Sequence, residues 1–407
     1  MLEAERTGNP DQPGTPLVSV IMANFEAGGR IVHALRSVLA QTLGDIEVIV
    51  SDDASRDDSI AYVRDAMRND GRVRLVTTQS NGGPARSRNR ALEVARGRWI
   101  AVVDSDDIIH PERFERLLAA AAYHDADIVA DDLLLFYEDG TAPRLMLGEE
   151  ASTNFLVDTE RWIMGGIGNT PALGYLKPLV RAEKLGHVRY DETLRIGEDY
   201  DLVLRLLLEG AAMVVVPEPF YLYRRHTASI SHRLSAADVE AMIDRQAVVA
   251  AAVDGPLSVP VAAAFTARQD ALRQRLAYEQ LVASVKSRSL ARAMSLIARD
   301  PTHLGRLWAS FTEGRRRRLP TQMPSQSPVL FLGGVDAGSI AEVVPDYVPT
   351  EQVDWSAPRQ RKIWRSLAAR RGAGTTRCVP LDRAGYYATG FIPEAEITPM
   401  ETAGRVP

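Results

Sequence analysis

Acidic residues follow two of the apolar, strand-like segments of the chain. The segment IEVIV (46–50) runs into SDDAS (51–55), and WIAVV (99–103) runs into DSDD (104–107). Ligands of open parallel sheets bind outside the carboxyl ends of the strands, so two acidic clusters at strand ends indicate one shared site. Carboxylates one or two residues apart can bind Mg²⁺ or Mn²⁺, with substrate phosphates completing the coordination shell. The pattern therefore predicts a metal–diphosphate site built from aspartates.

Other metal and nucleotide signatures are missing from the sequence. Neither cluster has the glycine and terminal glutamate of a calcium-binding EF-hand loop, and the chain contains neither the P-loop GxxxxGK[ST] nor a GxGxxG after a strand. Structural roles for the same aspartates stay open. Asp106 and Asp107 could cap a helix before Pro111, and Asp53 could be a turn residue.

Short apolar segments alternate with helical patterns through the first half of the chain. Strand-like runs begin near Leu17, Ile46, Val73 and Trp99, and a segment with helical spacing lies between each pair. This alternation predicts an α/β fold built from βαβ units, with an open, mostly parallel sheet and helices on both faces. A weaker pattern continues to residue 216 and includes a predicted helix over 198–208.

The character of the sequence changes after about residue 234. Residues 1–16 are polar and Pro-rich and are predicted to be a disordered lead-in to the α/β domain of residues 17–233. Residues 234–314 are Ala-rich with helical spacing, and residues 315–407 are a basic and then Pro-rich extension. The basic run Arg315–Arg318 is either a solvated turn or a contact with anionic lipid.

The overall composition is that of a soluble globular protein, with 45% hydrophobic residues and a formal net charge of -5. This balance argues against a nucleic-acid partner, which would require a broad basic face. The single cysteine, Cys378, excludes an internal disulfide and a Cys-rich zinc site. No segment reaches the roughly 18–20 apolar residues that span a bilayer. We therefore expect a cytoplasmic protein, with any membrane contact peripheral and at the inner face of the cell membrane.

Five motifs occur in the order that a known family shows. They are VSVIMANFE (18–26), SDDAS (51–55), NGGPARSRNRAL (81–92), VVDSDD (102–107) and GEDYD (197–201). Together they resemble the inverting glycosyltransferases of family 2, over about residues 17–233. The segments ADDLLLF, LGYLKP and FYLYRRHTASISHRL look closer still to the bacterial hexosyltransferases of succinoglycan-type exopolysaccharide assembly. The resemblance implies a GT-A-like, Rossmann-related fold.

The resemblance implies roles for residues of the first motifs. Asp53 matches the aspartate that hydrogen-bonds the nucleotide base, and Arg88 falls where the family often places an arginine near the nucleotide. Asp106 and Asp107 look like the family's Asp-Asp metal motif, with Asp106 near the ribose and metal and Asp107 the direct ligand of Mg²⁺ or Mn²⁺. Asp104 receives no role.

The later motifs supply the base implied by the resemblance. Asp199 in GEDYD matches the family's catalytic base, and Glu198 beside it is placed in the nucleotide-sugar site as a supporting residue. His226, in YRRHTASIS, resembles a segment that closes on the diphosphate and is grouped with Asp107 at the metal. Structural alternatives stay open: Asp199 could favour its helix N-terminus through the dipole, Arg88 could lie on a solvated helix face, and His226 could be structural.

These groups suffice for glycosyl transfer by a single displacement. An acceptor hydroxyl is a poor nucleophile, so a carboxylate must accept its proton, and the departing diphosphate needs a divalent cation to stabilise its charge. The resemblance implies a metal-dependent enzyme that transfers a hexose onto a lipid-linked exopolysaccharide oligosaccharide. The implied hexose is glucose, with UDP-glucose as its donor. Two alternatives are a non-catalytic nucleotide- or carbohydrate-binding subunit of a polysaccharide assembly complex, and a sugar nucleotidyltransferase. A nucleotidyltransferase is disfavoured because it would need a cationic loop around a triphosphate, and the loop NFEAGGR has a single arginine, Arg30, and no lysine.

Overall fold

The computed structural model describes residues 14–137, 144–148, 151, 153–225 and 234–299, and four short strands between 329 and 397. All contacts below refer to these residues. His226, the basic run Arg315–Arg318 and residues 1–13 of the lead-in lie outside them, so the predictions made for those segments stay predictions.

Strands and helices alternate through the first half of the described chain. In order they are β1 (Val18–Asn24), α1 (Arg30–Leu39), β2 (Ile46–Asp52), α2 (Ser59–Asn69), β3 (Val73–Thr77), α3 (Gly83–Val94), β4 (Trp99–Val102), β5 (Ile108–Ile109) and α4 (Arg113–His124). The strands predicted to begin near 17, 46, 73 and 99, and the helices between them, are confirmed.

The second half is less regular. It contains β6 (Ile128–Tyr137), β7 (Arg144–Leu145), β8 (Phe155–Val157), α5 (Thr159–Met164), a 3₁₀ turn (Leu173–Tyr175), β9 (Leu179–Arg181), α6 (Ala182–Leu185), α7 (Glu198–Leu208), β10 (Met213–Arg225), α8 (Ala236–Ala251), α9 (Val259–Lys286) and α10 (Leu290–Arg299). The helix predicted over 198–208 is confirmed with the same bounds as α7.

One ten-stranded sheet organises the domain, in the order β3-β2-β1-β4-β9-β6-β10-β5, with β7 paired to β6 and β8 to β10. Strands β3, β2, β1 and β4 are parallel to one another, and β6 is parallel to β10. Strand β9 runs antiparallel between β4 and β6. The predicted α/β fold with an open sheet is confirmed, and the antiparallel strands β5, β7, β8 and β9 make its second half mixed.

The strand order reverses between β1 and β4. From β1 the chain moves outward to β2 and β3 and then returns past β1 to form β4. Because parallel crossovers are right-handed, the reversal puts α1 and α2 on one face of the sheet and α3 on the other. In agreement, α1 packs on α2, whereas α3 packs on β1 and β2. A reversal of this kind opens a crevice at the carboxyl ends of the strands, where both acidic clusters lie.

The central strands are buried on both sides, and their carboxyl ends lie side by side at the edge that carries the acidic clusters. Every residue of β2 is buried, as are all but one of β1. Continuous Val- and Ile-rich runs are typical of parallel strands covered by helices on both faces. The register pairs Asn24 with Asp52 at the ends of β1 and β2, and Asn24 donates a 2.7 Å hydrogen bond to Oδ2 of Asp52. The strand ends are therefore cross-linked side by side.

Helices α8 and α9 pack on each other and on the α/β part of the chain. A capping box of Ser235 and Asp238 starts α8. Asp238 also pairs with Arg195, while Arg245 of α8 pairs with Asp201 of α7 at 2.7 Å. Helix α9 packs on α5 as well as on α8. The helices expected after residue 234 are thus tied by ion pairs to the helix that carries Asp199.

A second, four-stranded sheet is described towards the C-terminus. It consists of β11 (Val329–Leu332), β12 (Glu351–Val353), β13 (Arg377–Pro380) and β14 (Glu396–Ile397), parallel throughout in the order β12-β11-β13-β14. Within the described parts of the chain, none of the helices combines the length and apolar character needed to cross a membrane.

Candidate active site

A cleft of about 930 Å³ opens at the carboxyl edge of the sheet, beside the reversal between β1 and β4. Small-molecule sites typically occupy roughly 300–1,000 Å³. The wall of the cleft is formed by the ends of β1 and β4, the first turns of α3 and α7, and one face of α9. The predicted site residues that line it are Asp53, Arg88, Asp106, Glu198 and Asp199. Residues from distant parts of the sequence therefore meet at one concave surface.

Asp53 lies at the end of β2, against the turn that starts α3. Its Oδ2 accepts hydrogen bonds from the backbone N–H groups of Gly82 (2.9 Å) and Gly83 (2.7 Å), and its Oδ1 accepts one from Arg90 at 2.8 Å. Gly83 has φ 86°, a conformation that favours glycine. Asp53 thus shapes the turn at the cleft. A carboxylate accepts about four hydrogen bonds, so three internal bonds leave capacity for a ligand donor.

Arg88 joins the two ends of the predicted site. Its side chain is 5% exposed and lies 2.9 Å from Asp104 Oδ1, 2.6 Å from Glu198 Oε1 and 3.2 Å from Asp199 Oδ1. The alternative of a solvated helix face is therefore wrong. The predicted contact of Arg88 with the nucleotide stays a prediction, because its donors are directed at three carboxylates.

Lys177, for which no role was predicted, makes the second bridge. Its Nζ lies 2.8 Å from Asp104 Oδ2 and 2.9 Å from Asp199 Oδ2, in a side chain that is 6% exposed. Burial works against the charge of Lys177, but the two carboxylates outweigh it and raise its pKa well above the ordinary value. In turn, Lys177 and Arg88 overcome the effect of burial and hold the pKa of Asp104 far below its usual range. The bridge is ionic on both sides.

Asp199 and Glu198 form the first turn of α7. The turn begins after Gly197, whose φ of 92° redirects the chain into the cleft. Glu198 is 7% exposed, and burial together with the charge of Asp199 raises its pKa. Asp199 is the more open of the two carboxylates, with its side chain 16% exposed against 10% for Glu198. Both contact Arg88, and the role of Asp199 as the base stays a prediction.

The side chains of Asp106 and Asp107 lie in different surroundings. Asp106 lines the cleft together with Asp104, whereas Asp107 is 1% exposed. Asp107 Oδ2 accepts the Tyr221 hydroxyl at 2.8 Å, and its Oδ1 accepts the backbone N–H of Arg224 at 2.7 Å. Burial, with the charges of Asp106 and Asp104, raises the pKa of Asp107 well above its ordinary value. These contacts tie the DSDD turn to β10 and leave Asp106 as the carboxylate of the pair that lines the cleft, while the direct metal contact predicted for Asp107 stays a prediction.

The carboxylates of the cleft suit a shared metal rather than a preformed cage. Among the described residues, no three His, Cys, Asp or Glu side chains come together as a ready-made ligand set. Mg²⁺ commonly takes only one or two protein carboxylates and fills its octahedral shell with substrate phosphates and water. Asp106 lines the cleft beside Asp104 and offers carboxylate oxygens of the kind that such a metal site uses.

A further wall of the cleft was not anticipated from the sequence. Tyr200 follows Asp199, and its ring stacks on Trp162 with 5.7 Å between centroids. The guanidinium carbon of Arg268, from α9, lies 3.6 Å from the centre of the Tyr200 ring. Gly174 permits this packing, because a Cβ there would lie 3.2 Å from the Tyr200 side chain. Lys177 and Gly174 both belong to the quoted segment LGYLKP, which was the available signal for this wall.

Comparisons with known proteins agree with the resemblance described above. A family model described as "Glycosyl transferase family 2" matches residues 19–173. The succinoglycan biosynthesis protein ExoO of Rhizobium meliloti is 35% identical over 72% of this chain and 84% of its own length. ExoU of the same organism is 30% identical over 78% of this chain and 92% of its own length.

Solved structures also align with the chain. The Staphylococcus aureus protein TarS (residues 1–349) in complex with UDP is 22% identical over 61% of this chain and 68% of its own, with a TM-score of 0.47. The mannosyltransferase PcManGT from Pyrobaculum calidifontis, in complex with GDP-Man and Mn²⁺, is 16% identical over 74% of this chain and 85% of its own, also with a TM-score of 0.47. Identities and TM-scores this low do not support a family assignment, which therefore depends on the sequence relatives. From their identity and coverage, the chain belongs to glycosyl transferase family 2.

Proposed function

We propose that the protein transfers a hexose from a UDP-sugar to an acceptor hydroxyl, with inversion at the anomeric carbon. The proposed hexose is glucose, and the proposed donor is UDP-glucose. The observation that carries this proposal is the bridge between the sheet-edge aspartates and α7. Lys177 and Arg88 both contact Asp104 and Asp199, although these carboxylates come from distant parts of the sequence. A carboxylate suited to proton abstraction is thereby held against the part of the cleft suited to a diphosphate.

Asp199 is the proposed base. Its carboxylate accepts the proton of the acceptor hydroxyl as that oxygen attacks the sugar carbon, and one displacement with no covalent intermediate inverts the configuration. Before attack, contacts with Lys177 and Arg88 hold the Asp199 carboxylate in place at the cleft. Charge neutralisation of the departing UDP is the chemistry that a bound Mg²⁺ or Mn²⁺ supplies, with Asp106 as its protein ligand.

The remaining residues act by position. Asp53 and the Gly82–Gly83 turn border the end of the cleft at β2, where we place the nucleotide base. Asp104 holds Lys177 and Arg88, and Glu198 holds Arg88 from the other side. Asp107 fixes the DSDD turn through Tyr221 and Arg224. Each of these contacts restricts the orientation of a group that reaction geometry requires, and orientation is a large part of enzymatic rate enhancement.

The acceptor proposal is supported by the sequence relatives. Two of them, ExoO and ExoU, are named as succinoglycan biosynthesis proteins, and the chain covers 84% and 92% of their lengths. We therefore propose a growing exopolysaccharide oligosaccharide on a lipid carrier as the acceptor, reached at the cytoplasmic face of the membrane through peripheral contact.

The donor is tested by measuring UDP or GDP release from UDP-glucose, UDP-galactose, UDP-N-acetylglucosamine and GDP-mannose, with Mg²⁺ or Mn²⁺ and lipid extracts as the source of acceptor. The proposal predicts turnover with UDP-glucose that depends on the lipid fraction and is lost in Asp199→Asn. Preference for the GDP-sugar would overturn the assignment of the donor. Binding of nucleotide with neither transfer nor hydrolysis would favour the non-catalytic subunit.

A further inference from the structure

Helix α9 presents a charged face to the cleft beside the proposed base. Arg268, Leu272 and Arg275 all line the cleft, and their spacing of four and three residues places them on one side of the helix. Arg268 reaches Tyr200, the residue after Asp199, with 3.6 Å from its guanidinium carbon to the ring centre. A helix outside the α/β part of the chain therefore contributes directly to the surface around Asp199.

The charge of Arg268 has no acidic partner in the described parts of the chain. Its Nε is buried and makes no hydrogen bond, and no carboxylate lies within 4.0 Å of its guanidinium group. Burial lowers the pKa of Arg268, an effect that the nearby Tyr200 only partly opposes. By contrast, Arg88 and Lys177 are each bridged to carboxylates, and Arg275 lies 2.6 Å from Glu279. Arg268 thus faces the cleft with unused donors.

Arg268 is half-buried, and a cation partly withdrawn from water without a counter-charge is costly, so such groups are normally paired or serve a ligand. The ring of Tyr200 supplies part of the compensation as a cation–π contact. An arginine stacked on an aromatic ring can still donate parallel hydrogen bonds from the edge of its planar group, which suits carboxylate and phosphate oxygens. The Tyr200 hydroxyl, also buried without a hydrogen-bond partner in the described residues, adds a second polar group to the same wall.

We propose that Arg268 binds an oxyanion carried by the acceptor, so that the enzyme selects a negatively charged acceptor. The inference rests on the proposed glycosyl transfer. Arg268 belongs to the acceptor side because its contact is Tyr200, which packs on Trp162 and Gly174, and not the turn at Asp53 or the DSDD turn. A phosphate that links the sugar to its carrier and a carboxylate on the sugar both offer the required oxygens.

The test uses the full chain saturated with UDP and Mg²⁺, which fills the donor site. Glucose 1-phosphate, glucuronate and neutral methyl glucoside are titrated into it by isothermal calorimetry. The two anionic sugars represent the phosphate and carboxylate sources. The variants are Arg268→Gln, Arg268→Lys and, as the matched control, Arg273→Gln, since Arg273 is on the same helix, is 63% exposed and pairs only with Asp270 within the described residues.

The proposal predicts that at least one anionic sugar binds the UDP-loaded protein at least tenfold more tightly than methyl glucoside. This preference is lost in Arg268→Gln, reduced in Arg268→Lys and unchanged in Arg273→Gln. The melting temperature of Arg268→Gln should equal or exceed that of the wild type, because an uncompensated charge is removed. A purely structural role would instead lower it.

Three results would overturn the proposal. They are the absence of any preference for the anionic sugars, a preference that survives in Arg268→Gln, and binding of the anionic sugars only when UDP is omitted, which would move Arg268 to the donor side. UDP binding itself is the separate check on the proposed function. If UDP fails to bind the wild type, glycosyl transfer is contradicted, whereas intact UDP binding without an anion preference contradicts the Arg268 proposal alone.

Discussion

The ammonium nitrogen of Lys177 lies 2.9 Å from Oδ2 of Asp199. The same nitrogen lies 2.8 Å from Asp104 at the end of β4, so one buried cation connects the first turn of α7 to the DSDD turn. Arg88 repeats the connection from α3. The two cations hold the pKa of Asp104 far below its usual range despite its burial, so this carboxylate stays charged at the edge of the sheet. The proposed action of Asp199 as a base depends on this arrangement.

Replacing the proposed base should reduce turnover without removing the donor site. Asp199→Asn is expected to lower kcat by about 10²–10⁴-fold, the usual contribution of a general base. UDP affinity should change little, because the amide keeps the size of the carboxylate. Glu198→Gln is the matched neighbour and should lower kcat by less than about tenfold, since the glutamine oxygen can still accept from Arg88. Equal losses in the two variants would contradict the assignment of Asp199.

Removing Lys177 should lower turnover by releasing the proposed base from its position. In Lys177→Met the carboxylate of Asp199 loses its closest cation and its connection to Asp104, so we expect kcat to fall by up to about 10²-fold. The measurement is steady-state turnover of UDP-glucose with the lipid fraction. Lys184→Met is the control, as Lys184 contacts the Glu209 carbonyl at the far end of α7. A kcat of Lys177→Met equal to that of the wild type would refute the coupling.

Stability at acid pH should depend on Glu47 of β2. Burial alone would raise the pKa of Glu47, but hydrogen bonds from Ser19 and Arg96 lower it below its ordinary value of 4.5. A lowered folded-state pKa means that the ionised group stabilises the fold above pH 4.5 and that this contribution is lost as the pH falls through the folded-state value. Glu47→Gln should therefore lower the free energy of unfolding by about 1–3 kcal/mol at pH 7.

The measurement is urea unfolding followed by tryptophan fluorescence, at pH 7 and again at successively lower pH. The difference between Glu47→Gln and wild type should shrink below pH 4.5. Glu93→Gln, at an exposed position of α3, should follow the wild type throughout. A constant difference at all pH values would show that lost packing, not lost charge, destabilises the variant.

The sequence predicts the sheet edge well because strand and motif signals coincide there. Segments such as IEVIV are buried on both faces, so their carboxyl ends fall on one edge and carry Asp53 and Asp104 to it. The helix bearing Asp199 could be placed because its apolar spacing and its motif agree. In each case the signal is local, within one element and the residues that follow it.

Contacts between distant segments could not be predicted from such local signals. The adjacent residues Asp106 and Asp107 look equivalent in the sequence, and only the position of Tyr221 on β10 buries one and leaves the other at the cleft. Lys177 and Arg268 lie in segments with irregular or purely helical patterns, and their importance arises from the partners that the fold brings to them.

Glycosyl transfer as proposed requires the acidic edge of the sheet to bind a nucleoside diphosphate together with a metal held by Asp106. The most direct test is isothermal calorimetry of UDP and UDP-glucose, with and without Mn²⁺, on wild type, Asp106→Asn and Asp107→Asn. Asn at position 107 keeps an oxygen for the Arg224 N–H, so that variant is the matched control. We predict that Mn²⁺ strengthens UDP binding to wild type and Asp107→Asn and has no effect on Asp106→Asn. Failure of the wild type to bind either nucleotide, or loss of the Mn²⁺ effect in Asp107→Asn alone, would contradict the account.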